Sequence, residues 1–365
     1  MQTVLRDISI RAHALRVAVA QCFRAGAHRA HGAVLAAGVS QSLAPTALIF
    51  LAFGLSLSAK SSMAQDMVIA VSRASLSLPL YVAETQKFFA DEGLSVTTRE
   101  CIGGQRCMKL LLDGEVQLAT ASELPVMFNS FTRSDYAIVA TFVTSTQDVK
   151  LIVRKSAGIA TTAQLAGKRI GTVKGTSAHY FLDTFLVLGG IDPKKVELVS
   201  LPPEQLEQAL RDKKIDAAAI WEPFAHKSLK ALADDGLTLP SGRIYTESFN
   251  LIASRKVITE RETDVVKVLR ALDRAQRWIR DQPAQAQTIL KDRLQQDQGF
   301  INATWKDFNY RMSLDQSLLS TIEGEARWAI REGHVPSESK TPNFLQFIEA
   351  EPLRKAVPGA VTLFK

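Results

Sequence analysis

Cysteine and histidine are both scarce in this 365-residue chain. Its three cysteines, Cys22, Cys101 and Cys107, form no CxxC pair, and three of its six histidines precede residue 65. A structural metal site is therefore not expected. Positive charge is also scarcer than the formal net of +7 suggests. Residues 1–64 hold Arg6, Arg11, Arg16, Arg24, Arg29 and Lys60 against Asp7 alone, and the rest of the chain carries 38 basic and 36 acidic residues. A near-neutral body has no surplus for a phosphate backbone, so no nucleic-acid partner is expected. No Gly-Lys-Ser/Thr stands at P-loop spacing, and Gly167-Lys168-Arg169 does not supply one. Nucleophile-elbow, zinc-helix and paired catalytic carboxylate patterns are absent as well. Nothing in the motifs argues for an enzyme or for a cofactor. The apolar run at 44–57 spans about 14 residues, short of the roughly 20 that cross a bilayer.

What the chain does contain is an internal echo. Shifting residues 103–123 by 99 positions carries Leu111 onto Leu210, Asp113 onto Asp212, Val116 onto Ile215 and Glu123 onto Glu222. Both stretches read as turn, helix, tight turn, short buried strand and a carboxylate just past the strand. In open α/β sheets ligands bind beyond the carboxyl ends of strands. Two such units imply two similar lobes whose strand ends share one cleft.

The N-terminus reads as an export signal. An Arg-bearing, acid-poor stretch precedes the apolar run, and Ser62-Met63-Ala64 supplies small residues for cleavage after Ala64. In an oxidising compartment Cys101 and Cys107 either bridge, closing a small loop around Gly103-Gly104, or stand as two buried thiols. Strands are expected at 67–71, 94–97, 136–143, 148–153, 169–173 and 250–254, alternating with helices that include 79–89 and the echo helices. This alternation predicts α/β layers with largely parallel sheets. From 263 onward the apolar spacing turns helical, at 263–280 and 314–331. That helical region is expected to cover the first sheet.

Several positions carry candidate chemistry. Gly175-Thr176-Ser177 follows the strand at 169–173 and opens a helix. Such a start is either an ordinary cap or an anion site made of free N–H groups and the helix dipole. Gly103-Gly104 is the matching turn in the other lobe, and it lets backbone approach a ligand. Trp221 is either an apolar wall or core packing. Glu123 and Glu222 either fix a cationic end of a ligand or cap the helices that follow at 125–128 and 223–228. His179, in the first turn of its helix, reads as a structural hydrogen-bonding residue.

Four segments, LLDGEVQLATASELP (111–125), LAGKRIGTV (165–173), VKGTSAHYFL (173–182) and IDAAAIWEPF (215–224), resemble the nitrate/sulfonate/taurine family of ABC-transporter substrate-binding proteins. The likeness runs from about Met67 to the C-terminus. It implies a two-lobed periplasmic binding protein fold of type II, with two crossovers and a helical C-terminal region packed on the first lobe. The first lobe would comprise 66–146 and 257–365, and the second 147–256. The crossings would lie near 144–147 and 254–256, and the lobes would close about them. The resemblance implies ligand positions at Ser77, Gly104, Ser122, Thr176, Ser177 and Trp221. Glu123, Thr144, His179 and Glu222 complete the expected set. The family's sulfonate binders often carry Asp where this chain has Glu123 and Glu222.

The function so implied is capture of a small organic anion, an aliphatic sulfonate or taurine-like compound, in the periplasm. The protein would be a monomer that delivers its ligand to an inner-membrane permease. Relatives that bind pyrimidines or aromatic acids supply the alternative. A thiamine-pyrimidine synthase of the same fold would need a Cys-rich iron-binding run that this chain lacks. A transcription regulator would need a helix-turn-helix where residues 1–64 give an apolar run.

Overall fold

The short apolar runs assemble into two mixed sheets in a computed structural model that describes residues 66–363. The signal segment, its cleavage point and Cys22 lie outside the described residues. The first sheet contains β1 (Asp66–Ser72), β2 (Ser95–Cys101), β3 (Leu118–Ser122), β4 (Tyr136–Ser145), β10 (Glu247–Ser254) and β11 (Phe308–Asn309), in the order β11-β4-β10-β3-β1-β2. The second contains β5 (Val149–Arg154), β6 (Arg169–Thr172), β7 (Glu197–Ser200), β8 (Ala217–Trp221) and β9 (Gly236–Leu239), in the order β7-β6-β8-β5-β9.

The sheets are less parallel than the βα alternation predicts. β1 runs parallel to β2 and β3, and β6 to β7 and β8. β10, however, is antiparallel to both β3 and β4, and β5 is antiparallel to both β8 and β9. In each sheet the strand that follows or precedes a crossing runs back against its neighbours. This also moves a boundary. The strand expected at 250–254 falls within the residues expected for the second lobe, yet Glu247–Ser254 inserts between β3 and β4 of the first sheet. The return crossing therefore falls at 240–246 rather than at 254–256. The pattern could not reveal this, because a strand buried on both faces reads as the same apolar run in either sheet.

The helices divide in the same way. α1 (Leu78–Thr85), α2 (Gly104–Leu112) and α3 (Glu123–Ser130) flank the first sheet, and α4 (Ser177–Leu188), α5 (Pro203–Arg211) and α6 (Phe224–Leu232) the second. The C-terminal helices α7 (Glu262–Asp281), α8 (Pro283–Leu294), α9 (Gln298–Thr304), α10 (Gln316–Arg331) and α11 (Glu351–Ala356) complete the chain. Val265, Leu269 and Leu272 of α7 and Ile322 of α10 join Ile69, Leu118 and Leu251 in one apolar core. The second core is separate and centres on Leu151, Ile170, Leu182 and Leu206. The apolar stripes read at 263–280 and 314–331 thus cover the first sheet, as their helical spacing predicts.

Candidate ligand-binding cleft

The echo is realised residue for residue. α2 and α5, and likewise β3 and β8, have bounds that differ by 99 at both ends. The strand ends of the two units face one cavity. Gly103, Gly104, Gln105, Ser122 and Pro125 line it from the first lobe, and Thr176, Ser177 and Trp221 from the second. Seams between the lobes flank it. The Arg106 guanidinium pairs with Glu204 across the two echo helices, and Lys230 pairs with Asp297. The Trp328 Nε1–H donates to Asp183 at 2.9 Å.

Three helix starts converge on this cavity: α2 after Gly103, α3 after Ser122 and α4 after Thr176. No N-cap side chain accepts a bond from its own helix at any of them. The Thr176 hydroxyl instead donates back to the Val173 carbonyl at 2.7 Å. The first N–H groups of each helix have no intrahelical partner, so they and the dipoles present positive potential to the cavity. Two glycines make the approach possible. Gly103 has φ of +79°, and a Cβ there would meet the Trp221 ring at 3.1 Å. A Cβ on Gly104 would come within 2.6 Å of the Ala121 backbone. The Cys101–Cys107 disulfide is formed, with the Cα atoms 5.6 Å apart, and closes the loop that carries both glycines.

Five of the expected positions, Gly104, Ser122, Thr176, Ser177 and Trp221, line the cavity. The other five have other partners. The buried Ser77 hydroxyl donates to the Ser72 carbonyl at 2.6 Å, one residue layer behind the wall. Thr144 lies on β4, where its hydroxyl accepts from Asn309. The His179 Nδ1 accepts from the Gly175 N–H at 3.3 Å, and its ring packs on Trp328 and His334. Burial pushes its pKa down to about 4, against the pull of Asp183, so the ring is neutral at pH 7.

Glu222 accepts the His226 N–H at 2.9 Å and pairs with Lys150 at 3.0 Å, so it caps α6 and is not part of the cavity lining. Glu123 is fully buried. It accepts from the Tyr245 hydroxyl and from the Ser248 N–H and hydroxyl, at 3.0 and 2.9 Å. It therefore ties the return crossing to the first lobe. Burial raises its pKa, and the Tyr245 hydroxyl opposes the rise.

The acids that do reach the cavity are Asp148 and Glu247, together with Ser72 and Phe249. Sequence reasoning missed them. The available signal was position: each acid stands where a crossing segment meets a strand, Asp148 before β5 and Glu247 at the start of β10.

The NMT1/THI5-like family profile matches residues 75–286. The chain belongs to the NMT1/THI5-like family. Among curated relatives of this NMT1/THI5-like protein is the taurine-binding periplasmic protein of Escherichia coli. It is 28% identical over 243 residues, which cover 64% of this chain and 70% of the relative. Solved structures share the fold. The alkanesulfonate-binding protein from Xanthomonas axonopodis pv. citri, bound to MOPS, aligns with TM-score 0.68 at 20% identity, over 82% of this chain and 98% of that one. The periplasmic nitrate-binding protein from Synechocystis aligns with TM-score 0.67 at 14% identity, over 81% of this chain and 89% of that one.

Proposed function

We propose that this chain is an extracytoplasmic solute-binding protein of an ABC importer. It captures a small organic anion, a short aliphatic sulfonate or taurine-like compound, between its two lobes. It acts as a monomer, freed of its signal segment after Ala64, and hands the ligand to an inner-membrane permease. The observation that carries this reading is the convergence of three helix starts, none closed by its own cap side chain, on one cavity. An anionic head group would take backbone N–H bonds from both lobes and favour their closure. The names of the relatives support the ligand class. A second reading, an aminopyrimidine or aromatic acid, draws on the Trp221 and Phe249 rings in the same wall.

The test is titration calorimetry on the folded, mature protein with taurine, alkanesulfonates, nitrate, aminopyrimidines and aromatic acids. A sulfonate is expected to bind. A Thr176→Ala, Ser177→Ala double variant is expected to weaken it at least roughly tenfold, since hydrogen bonds to a charged group contribute about 1.5–3 kcal/mol. Trp221→Ala should weaken the same ligand at unchanged stoichiometry. Unchanged affinity in both folded variants would overturn the site. Binding of a neutral pyrimidine and of no anion would overturn the sulfonate reading.

A further inference from the structure

Both oxygens of Asp148 and Oε2 of Glu247 are buried without a hydrogen-bond partner. The two residues are 1% and 4% exposed, and both line the cavity. Buried polar atoms are nearly always satisfied, so three orphaned carboxyl oxygens in one wall need an explanation. The nearby cation does not supply it. Lys150 Nζ is engaged by Glu222 at 3.0 Å, Asp307 at 3.3 Å and the Gln147 carbonyl at 2.6 Å. The two carboxyls lie close enough to share one proton, which can satisfy one oxygen of each and leaves an Asp148 oxygen without a donor. The same cavity also receives the three helix starts, so it offers donors for an anion and acceptors for a cation together.

We propose that Asp148 and Glu247 form a subsite for the cationic end of the ligand, so that this protein selects short zwitterions, carrying a protonated amine beside the anionic group, over plain sulfonates and nitrate. The inference rests on the small-anion reading above and narrows it. A ligand ammonium would satisfy acceptors that are otherwise stranded in a low dielectric, where an uncompensated charge is costly. A ligand with negative charge alone would leave these acceptors unpaired, which supplies discrimination. The two acids stand on the two crossing segments, so a bound cation would also tie the hinge strands together in the closed form.

The protonation of the pair agrees. Burial raises the Asp148 pKa to about 7, Lys150 opposes the rise, Glu222 adds to it, a hydrogen bond from Glu247 opposes it, and Asp307 adds to it. Burial raises Glu247 well above the ordinary carboxylate range, Asp148 and Glu123 add to this, and the Ser177 hydroxyl opposes it. Tyr310, also facing Asp148, stays neutral. Burial thus favours the protonated carboxyls, and a bound cation would favour loss of a proton.

The test compares taurine with ethanesulfonate, which share the sulfonate and differ in the amine. Calorimetry at pH 7 is run in two buffers of different ionisation enthalpy. Taurine is expected to bind at least tenfold more tightly and to release a fraction of a proton, seen as a buffer-dependent heat. Asp148→Asn and Glu247→Gln each remove an ionisable acceptor, and thermal melts verify that they fold. Each variant should erase most of the taurine preference and the proton release while leaving ethanesulfonate affinity unchanged or higher. Equal affinities for both ligands in the unmutated protein, or a taurine preference that survives both variants, would overturn the subsite and leave the anion reading intact. If neither sulfonate binds, both fall.

Discussion

The two echo units share length, register and secondary structure, yet they bring different chemistry to the cleft. In the first, α2 opens on Gly103-Gly104, is stapled by Cys101–Cys107, and leads through β3 to Ser122 and Glu123. In the second, α5 opens on Pro202-Pro203 and leads through β8 to Trp221 and Glu222. Proline has no N–H, so α5 lacks at Pro203 the donor that α2 offers at Gly104. The second lobe supplies its donors from α4, at Thr176 and Ser177, and gives the echo position to an apolar wall. The matching acids diverge too: Glu123 ties the return crossing to the first lobe, and Glu222 caps α6 and pairs with Lys150. Equal backbone pattern therefore fixes where strand ends meet, and single side chains decide which end becomes donor, wall or hinge anchor.

The acids give the largest contrast. Glu123→Ala strands the Tyr245 hydroxyl and the Ser248 N–H in the interior, and is expected to cost about 3–5 kcal/mol. Glu222→Ala removes one cap, but Lys150 keeps Asp307 and the Gln147 carbonyl, so the loss is expected to be smaller, about 1–2 kcal/mol. Urea unfolding of the two variants ranks them, and equal losses would break the distinction between hinge anchor and cap.

The staple comes next. A double Cys101→Ser, Cys107→Ser variant reopens a short loop in the first unit only, and is expected to lose about 2 kcal/mol. Thermal melts with and without reductant read this. A melt unchanged by reductant in the unmutated protein would mean that the bridge contributes nothing.

The smallest effect lies in the turn between helix and strand. Gly114 and Lys213 occupy matching positions in the two units and both adopt left-handed backbone, with φ of +76° and +59°. Lys213→Gly should relieve that conformation and stabilise by about 0.5–1 kcal/mol, and Gly114→Ala should destabilise by about as much. Opposite shifts in the urea midpoint would sharpen the pairing of the units, and shifts of one sign would break it.

The sequence by itself determined the repeated unit, the two lobes and the helix start at Thr176-Ser177, because these depend on local periodicity and on turn residues. It also singled out Gly103-Gly104 and the cysteine pair, whose six-residue separation allows the bridge that is formed. Only the tertiary structure decided where β10 inserts, since a strand buried on both faces carries no mark of its neighbours. It likewise decided which acids face the cavity. Glu123 and Glu222 sit at the expected strand ends, but an acid at a helix start finds nearer partners in backbone N–H groups and in the adjoining crossing segment. Asp148 and Glu247 look ordinary in the sequence, and become a pair only when two crossings far apart in the chain run side by side.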